Sequence, residues 1–163
     1  MKTILLLAVL ALAGVYVFGA VRFSEAGALT YIGDLEMLAM NGEAGEYCDQ
    51  LHEDMEVSIR DYSAEPAAAI DGGKDELCEY ITRASKGMAL LGVSMETRVD
   101  DVEVTRSWLH PWTADLSYSE SRTTRIRAAK VTLKTESEDE WTLVQTFGGM
   151  KVKRLVSEVH LAE

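Results

Sequence analysis

The chain has 163 residues and a formal net charge of −11, with 27 Asp and Glu against 16 Lys and Arg. This length suits one domain with a single hydrophobic core and leaves no room for two. Because so acidic a chain repels phosphate backbones, nucleic acid is excluded as an expected partner. One basic run is interpreted as a solvated outer face that offsets the acidic helices: Arg122, Arg125, Arg127, Lys130 and Lys134.

The first predicted element is an apolar helix. Residues 3–21 are nineteen residues without a charge, and as a helix they reach roughly 28 Å, enough to cross a bilayer core. Two interpretations stay open: an uncleaved signal anchor, or a signal peptide cleaved after Gly19, with Val17 and Gly19 at the −3 and −1 positions. We expect residues 1–24 to be this anchor or signal peptide and residues 25–163 to be the folded domain.

The charges on either side of this segment predict the compartment. Lys2 precedes it, and acids predominate after Arg22. The positive-inside tendency therefore places the domain outside the cytoplasm. We expect an extracytoplasmic protein of the cell envelope that contacts the membrane through its N-terminal helix, or a periplasmic or secreted protein if that helix is cleaved.

The chain has two cysteines, Cys48 and Cys78. An even count in an exported chain favours a disulfide, and helical spacing places each thiol on the apolar stripe of its own helix. Closing a loop of about 31 residues would contribute roughly 3 to 4 kcal/mol. Two buried free thiols are the alternative. No second Cys lies at metal-ligand spacing from either cysteine, so no metal site is expected.

Three helices are predicted in the first half of the domain. Asn41 and Gly42 supply a left-handed cap that ends the first helix. A short second helix spans roughly residues 43–51. The third opens at Asp71, with acids beside the positive end of its dipole, and stops at Gly92. The first helix buries an apolar stripe with a spacing of three and four: Ala28, Tyr31, Ile32, Leu35, Leu38 and Ala39.

Alternating apolar and polar residues predict strands elsewhere. Residues 102–118 read as a hairpin that turns near Pro111, which cannot donate to a ladder. Turns are expected at residues 137–140 and at Gly148 and Gly149. A change of parity between Val152 and Leu155 predicts a bulge in the last strand. The candidate strands are 55–61, 93–106, 112–124, 129–135, 141–147 and 150–161, and residues 62–70 are assigned to a loop.

This order of elements resembles the NTF2-like superfamily, which includes SnoaL-like cyclases and ketosteroid isomerases. The resemblance covers roughly residues 28–156. It is carried by MNGEAGEYCDQLHEDMEV at 40–57, GKDEL at 73–77, DVEV at 101–104 and TADLS at 113–117. It implies an α+β cone, also described as cystatin-like, in which three N-terminal helices pack on a curved antiparallel sheet. It also implies a pocket at the open end, which members use for catalysis, small ligands or protein binding.

The isomerases of this superfamily use a tyrosine on the first helix, a carboxylate base after the first strand and a protonated acid in the sheet. Tyr31 and Asp61 are the nearest matches in this chain. Tyr31 comes several residues too early, and Asp61 lies about two positions late, a displacement of about 7 Å along a strand. Asp115 has the outward parity, unsuited to a buried acid. We therefore expect no isomerase-like catalytic set.

Other chemistries have few candidates. His110 lies between tryptophans that could shift its pKa, and the alternative for it is an exposed turn histidine. The three histidines are not spaced as metal ligands, and no phosphate-binding or dinucleotide motif occurs, so no metal and no cofactor are expected. Four aromatic residues are candidates to line the pocket: Trp108, Trp112, Tyr118 and Trp141.

These observations predict a non-catalytic binding or assembly domain of the cell envelope, with a protein partner or a homodimer through the sheet. The alternative is an enzyme, or a carrier of a small apolar ligand, that uses the cone pocket with Asp61 or His110 handling a proton. The pocket discriminates between them. Closure by Trp108, Trp112 and Trp141 would exclude an enzyme, whereas an open pocket with a desolvated carboxylate at its base would favour one.

Overall fold

The computed structural model describes residues 14, 23–63, 65–107 and 109–162. Among these residues, no helix is both long and apolar enough to span a bilayer. The predicted N-terminal helix, apart from Gly14, lies outside them. The described helices are α1 (Glu25–Asn41), α2 (Ala44–Asp49) and α3 (Lys74–Leu91). The described strands are β1 (Leu51–Asp61), β2 (Ala68–Gly72), β3 (Val93–Arg106), β4 (Thr113–Ile126), β5 (Val131–Thr146) and β6 (Gly149–Leu161).

The first helix begins and ends at residues suited to those positions. The Ser24 side chain accepts a hydrogen bond from the Gly27 amide at 3.1 Å, which satisfies a free N–H of the first turn. Gly42 follows the last turn with φ of 80°, the left-handed cap that the sequence predicts. The buried residues of α1 belong to the predicted stripe: Ala28, Ile32 and Leu35.

The prediction for the segment before the third helix is wrong. Residues 68–72, assigned to a loop and a helix start, form β2 and pair antiparallel with β1. The helix therefore begins at Lys74, where the Glu76 carboxylate accepts a hydrogen bond from the Gly73 amide at 2.8 Å. A run of alanines has no alternating pattern, so backbone pairing at the sheet edge, rather than side-chain burial, makes this segment a strand.

The six described strands form one sheet in the order β2-β1-β6-β5-β4-β3. The pairings from β3 to β6 are antiparallel, as predicted, but β1 runs parallel to β6, so the sheet is mixed. A parallel pair requires a long connection, and α3 with the β3 to β5 meander supplies it. Helices packed against a curved sheet confirm the predicted α+β architecture.

Residues 137–140, predicted as a turn, lie in the middle of β5. Asp139 has the same inward parity as Trp141, and both are buried. Asp139 pairs with Tyr118 on β4 and with Ser157 on β6. The turn prediction is wrong because four polar residues in a row have the composition of a loop. In the structure, alternate members of the run face the helices and the others face solvent.

The pairing of the described strands shifts register at three places, in β1, β3 and β6. In β6, Lys153 is the extra residue between Val152 and Arg154, which pair with consecutive residues of β5. This confirms the predicted change of parity in the last strand. In β3, the pairing shifts beside Asp101, whose φ is 54°. Bulges increase the local twist and bend of a strand, which helps the sheet to curve around the helices.

Two hairpin turns lie side by side at one end of the sheet. The predicted β3–β4 hairpin is confirmed, and Leu109 and Trp112 of its turn are exposed. The β5–β6 turn consists of Phe147 and Gly148, one residue earlier than predicted, because Thr146 pairs with Gly149. The amide of Gln145, in β5, donates to the carbonyl of Trp112 at 2.7 Å. This hydrogen bond holds the two turns together.

Cys48 of α2 and Cys78 of α3 form the predicted disulfide, with Cα atoms 5.7 Å apart. Their neighbours Tyr47 and Leu77 are buried in the core. A helix as short as α2, with six residues, is not stable on its own in water. The disulfide and the surrounding core therefore hold α2 against α3.

Alanine should have opposite effects on the free energy of unfolding at Gly33, inside the first helix, and at Gly42, directly after it. Gly42→Ala should lower the free energy of unfolding by about 1 kcal/mol, because a Cβ is strained in the left-handed conformation. Gly33→Ala should raise it by about 0.5 to 1 kcal/mol, because Gly33 lies inside α1 and an added Cβ meets nothing within 4 Å. Urea denaturation of both variants measures the difference. Effects of the same sign would contradict the assigned cap.

Candidate functional site on the concave face

Inward-facing residues line up in rows across the sheet, because the pairing register fixes which side chains are neighbours. The first row is apolar and consists of Val57, Leu155, Trp141 and Leu116. The next row consists of Ile59, Ser157, Asp139 and Tyr118. The third consists of Asp61, Val159, Ser137 and Glu120. The concave face therefore becomes more polar with distance from the two hairpin turns.

A network of charged side chains lies at the polar end of this face. Arg122 Nη2 is 2.6 Å from Glu120 Oε1 and 3.4 Å from Glu36 Oε1. The Thr97 hydroxyl also donates to the Glu36 carboxylate. Because Glu36 belongs to α1, the network joins the helix to the sheet. We refer to Glu36, Glu120, Arg122 and Asp139 as the carboxylate cluster.

The carboxylate cluster has three acids and one cation, and burial decides its protonation. Burial raises the pKa of Glu120 to about 7, against the opposing effect of Arg122 and with a further increase from Asp139. Burial also raises the pKa of Asp139, while hydrogen bonds from Ser137 and Ser157 oppose the increase. Glu120 can therefore gain or lose a proton near neutral pH. Within the described residues, no group of three His, Cys, Asp or Glu side chains could hold a metal ion.

Aromatic side chains pack around the cluster. Tyr118 and Trp141 are 5% and 8% exposed, with ring centroids 6.3 Å apart. Burial raises the pKa of Tyr118 and raises that of Tyr47 to about 12, so both hydroxyls stay protonated. The buried Nε1 of Trp141 has no acceptor among the described residues. Such a group is an unused donor inside the cone.

Two of the candidate catalytic residues lie at different places on the fold. The Tyr31 hydroxyl donates to two backbone carbonyls, one of them that of Met150 at 3.1 Å. It holds α1 against the start of β6, and burial raises its pKa. Asp61 accepts a hydrogen bond from the Ser63 amide at 2.8 Å. Asp61 and Glu120 belong to the same row across the sheet, but strands β5 and β6 lie between them.

The third candidate, His110, is exposed in the β3–β4 turn. Its ring lies edge-on to that of Trp112, with centroids 6.4 Å apart. Trp112 is half exposed in the same turn, so it does not close the concave face. Trp108 lies outside the described residues. Of the four aromatic pocket candidates, Tyr118 and Trp141 are the two that the structure places in the interior. Burial desolvates the carboxyl of Glu120 on this face, a residue that the alternative hypothesis does not name.

A separate groove of about 350 Å³ runs along α1. Its lining includes Tyr31 and Met37 of α1, and Gln50 beyond the end of α2. Because the exposed side chain of Met37 forms part of its wall, the groove opens to solvent. It is a surface feature of the helical layer and does not include the carboxylate cluster.

Sequence reasoning missed Glu120, Arg122 and Asp139 as members of one site. The sequence predicts that Arg122 lies on the outer face with the rest of the basic run, but it contacts Glu120 on the inner face. Parity carried the signal, because Glu120 and Arg122 continue the inward series of Leu116 and Tyr118 on β4. Asp139 carried a weaker signal, since the supposed turn around it concealed its parity with the buried residues of β5.

Comparison with known proteins identifies the fold. No protein-family model and no curated protein matches the chain, but solved structures do. An NTF2-like protein with a cystatin-like fold from Novosphingobium aromaticivorans is 17% identical, covering 78% of this chain and 75% of its own, with a TM-score of 0.57. The β subunit of benzoate 1,2-dioxygenase from Burkholderia mallei is 9% identical, with coverages of 83% and 89% and a TM-score of 0.65.

A third solved structure is that of a protein named as an enzyme. The hexachlorocyclohexane dehydrochlorinase LinA-type3 from Novosphingobium barchaimii is 8% identical, with coverages of 84% and 90% and a TM-score of 0.57. At such identities the likeness concerns the fold alone. The chain has the NTF2-like, cystatin-like fold, in a sequence far diverged from these structures, and the resemblance inferred from its motifs is confirmed.

Proposed function

We propose that this chain is a binding or assembly module of the cell envelope, an NTF2-like domain held outside the cytoplasm at a membrane by residues 3–21. The bond between Cys48 and Cys78 carries the proposal, because disulfides persist in oxidising compartments and are rare in the cytosol. The uncharged segment and the acids that follow Arg22 support the same orientation. Cleavage after Gly19 would leave the same domain periplasmic or secreted.

A binding role without catalysis is supported by the side chains that fill the interior of the cone. Tyr118 and Trp141 fill the middle of the concave face, and the Tyr31 hydroxyl is engaged by two backbone carbonyls. A partner would then meet an outer surface of the domain. We assign this role to the outer face of the sheet, for a protein partner or a second copy of the chain.

Protease treatment of spheroplasts tests the orientation and the tether together. The full chain is expected to stay with the membrane after an alkaline carbonate wash. Protease added to intact spheroplasts should digest the domain without lysis, because the domain faces outward. A domain that is protected until lysis would contradict the extracytoplasmic assignment, and a chain recovered only in the soluble fraction would contradict the tether.

An enzyme or a carrier of a small apolar ligand is the second candidate, and Glu120 favours it. A buried carboxyl with a pKa of about 7 suits general acid or base chemistry near neutral pH. A dehydrochlorinase of the same fold gives further support. A small apolar ligand with an oxygen acceptor should shift the NMR signal of the Trp141 indole N–H and spare that of Trp112. An unchanged Trp141 signal across a panel of such compounds would count against this candidate.

A further inference from the structure

Three large apolar side chains are exposed together at one end of the sheet. Leu109 and Trp112 are 59% and 50% exposed, and Phe147 projects fully into solvent. The hydrogen bond from the Gln145 amide to the Trp112 carbonyl keeps their two turns adjacent. Single exposed apolar residues need no explanation, but a contiguous group marks a contact surface. We refer to Leu109, Trp112 and Phe147 as the apolar tip.

The two chain segments that form the apolar tip are free of acids. Residues 104–114 and 141–157 contain none of the 27 Asp and Glu of the chain, although they include the bases Arg106, Lys151, Lys153 and Arg154. Tryptophan is enriched where proteins meet the head-group layer of a bilayer, and nearby bases favour anionic lipid. The composition of these two hairpins therefore suits a lipid surface, while Glu53 of the adjoining strand β1 offsets part of the charge of Lys151.

The start of α1 lies at the same end of the sheet. Tyr31, in the first half of α1, contacts Met150 beside the β5–β6 turn. Glu36, further along the helix, contacts Thr97 and Arg122, well toward the opposite end of β3 and β4. The helix therefore runs away from the apolar tip, and the chain enters the domain near it.

Little chain separates the uncharged segment from the folded domain. That segment ends at Val21, and Phe23 is already 2% exposed in the core. Two residues span at most about 7 Å. A bilayer crossed by residues 3–21 would therefore lie close to the apolar tip. Leu90 and Leu91 are also exposed, but they lie at the far end, beside the β4–β5 turn.

We propose that the apolar tip inserts into the interfacial layer of the bilayer that holds the chain, so that the domain rests on the membrane with its β4–β5 turn pointing away. This inference rests on the tethered form of the proposed function. It adds a lipid-contact site that orients the concave face and the outer face of the sheet relative to the membrane. Trp112 and Phe147 supply the inserting rings, and Arg106 and Lys151 lie where phosphate groups would be.

A fluorescent label beside the apolar tip tests the proposal in the full chain. Gly148→Cys places one free thiol next to Phe147, while Cys48 and Cys78 remain oxidised, and an environment-sensitive dye is attached to it. Ala129→Cys, in the exposed β4–β5 turn, is the matched control. Each labelled chain is reconstituted in vesicles of phosphatidylcholine and phosphatidylglycerol, with and without lipids that carry a nitroxide near the head group.

The label at position 148 should show blue-shifted emission and lose intensity with nitroxide lipid, whereas the label at position 129 should show neither effect. Replacing Leu109, Trp112 and Phe147 with serine should abolish the quenching at position 148. Vesicle flotation separates the two levels of failure. If the chain floats and the label at 148 behaves as in water, the inference is overturned and the tether stands. If the chain does not float, both are overturned. If only a protein extract shields the label, the surface binds a protein instead.

Discussion

Replacing Cys48 and Cys78 together with alanine is expected to lower the free energy of unfolding by roughly 3 to 4 kcal/mol. The two residues are 30 positions apart, and a loop of that length gains substantial entropy in the unfolded chain when the bond is absent. Such a loss is a large part of the stability of an ordinary domain. Urea denaturation monitored by tryptophan fluorescence measures it.

The wild-type chain provides the control for this experiment. Reductant should lower the stability of the wild-type protein by a similar amount and leave the alanine variant unchanged. If both proteins respond alike, the effect of reductant does not act through this bond. A loss smaller than about 1 kcal/mol in the alanine variant would show that the unfolded loop is already restricted, or that the thiols are free, contrary to the structure.

Glu120→Gln is expected to remove a large pH dependence of stability. In the folded chain the pKa of Glu120 is raised from its ordinary value of 4.5 to about 7, so the neutral acid is favoured. Its contribution to stability is full below pH 4.5 and is lost as pH rises through 7. From pH 4 to pH 8, the wild type should lose roughly 3 kcal/mol relative to the Gln variant.

The measurement is the difference in unfolding free energy between the two proteins at several pH values. Glu138→Gln is the matched control, because Glu138 lies on the same sheet with its side chain exposed. The pH dependence that wild type and variant share cancels in this difference, and the control shows how little an exposed glutamate contributes. If the difference in unfolding free energy between wild type and the Glu120 variant does not change with pH, Glu120 is solvated in the folded chain. The carboxylate cluster would then no longer be a candidate site.

The local signals in the sequence identified most of the helical layer and the meander. Gly42 and Gly92 ended helices because both adopt the left-handed conformation that non-glycine residues rarely take. The bulge near Lys153 was visible because a buried parity changes when one residue is inserted. The disulfide was predictable because two lone cysteines occurred on the apolar stripes of two helices.

The candidate site was harder to predict because polar residues on a buried face resemble surface residues. Asp139 was concealed in a polar run, and its burial depends on Ser157 and Tyr118 from strands distant in sequence. Arg122 resembled its basic neighbours until Glu36, from a helix, was placed against it. Such contacts depend on the tertiary fold, so neither composition nor local periodicity reports them.

Intact-mass analysis of the protein recovered from the membrane fraction, alkylated without and with prior reduction, tests the central claim most directly. We expect a full-length mass that retains residues 1–22, with no alkylation before reduction and two alkylated thiols after it. A mass that corresponds to loss of the leader would contradict the tether. Alkylation of Cys48 and Cys78 without reductant would contradict an extracytoplasmic domain held together by their disulfide.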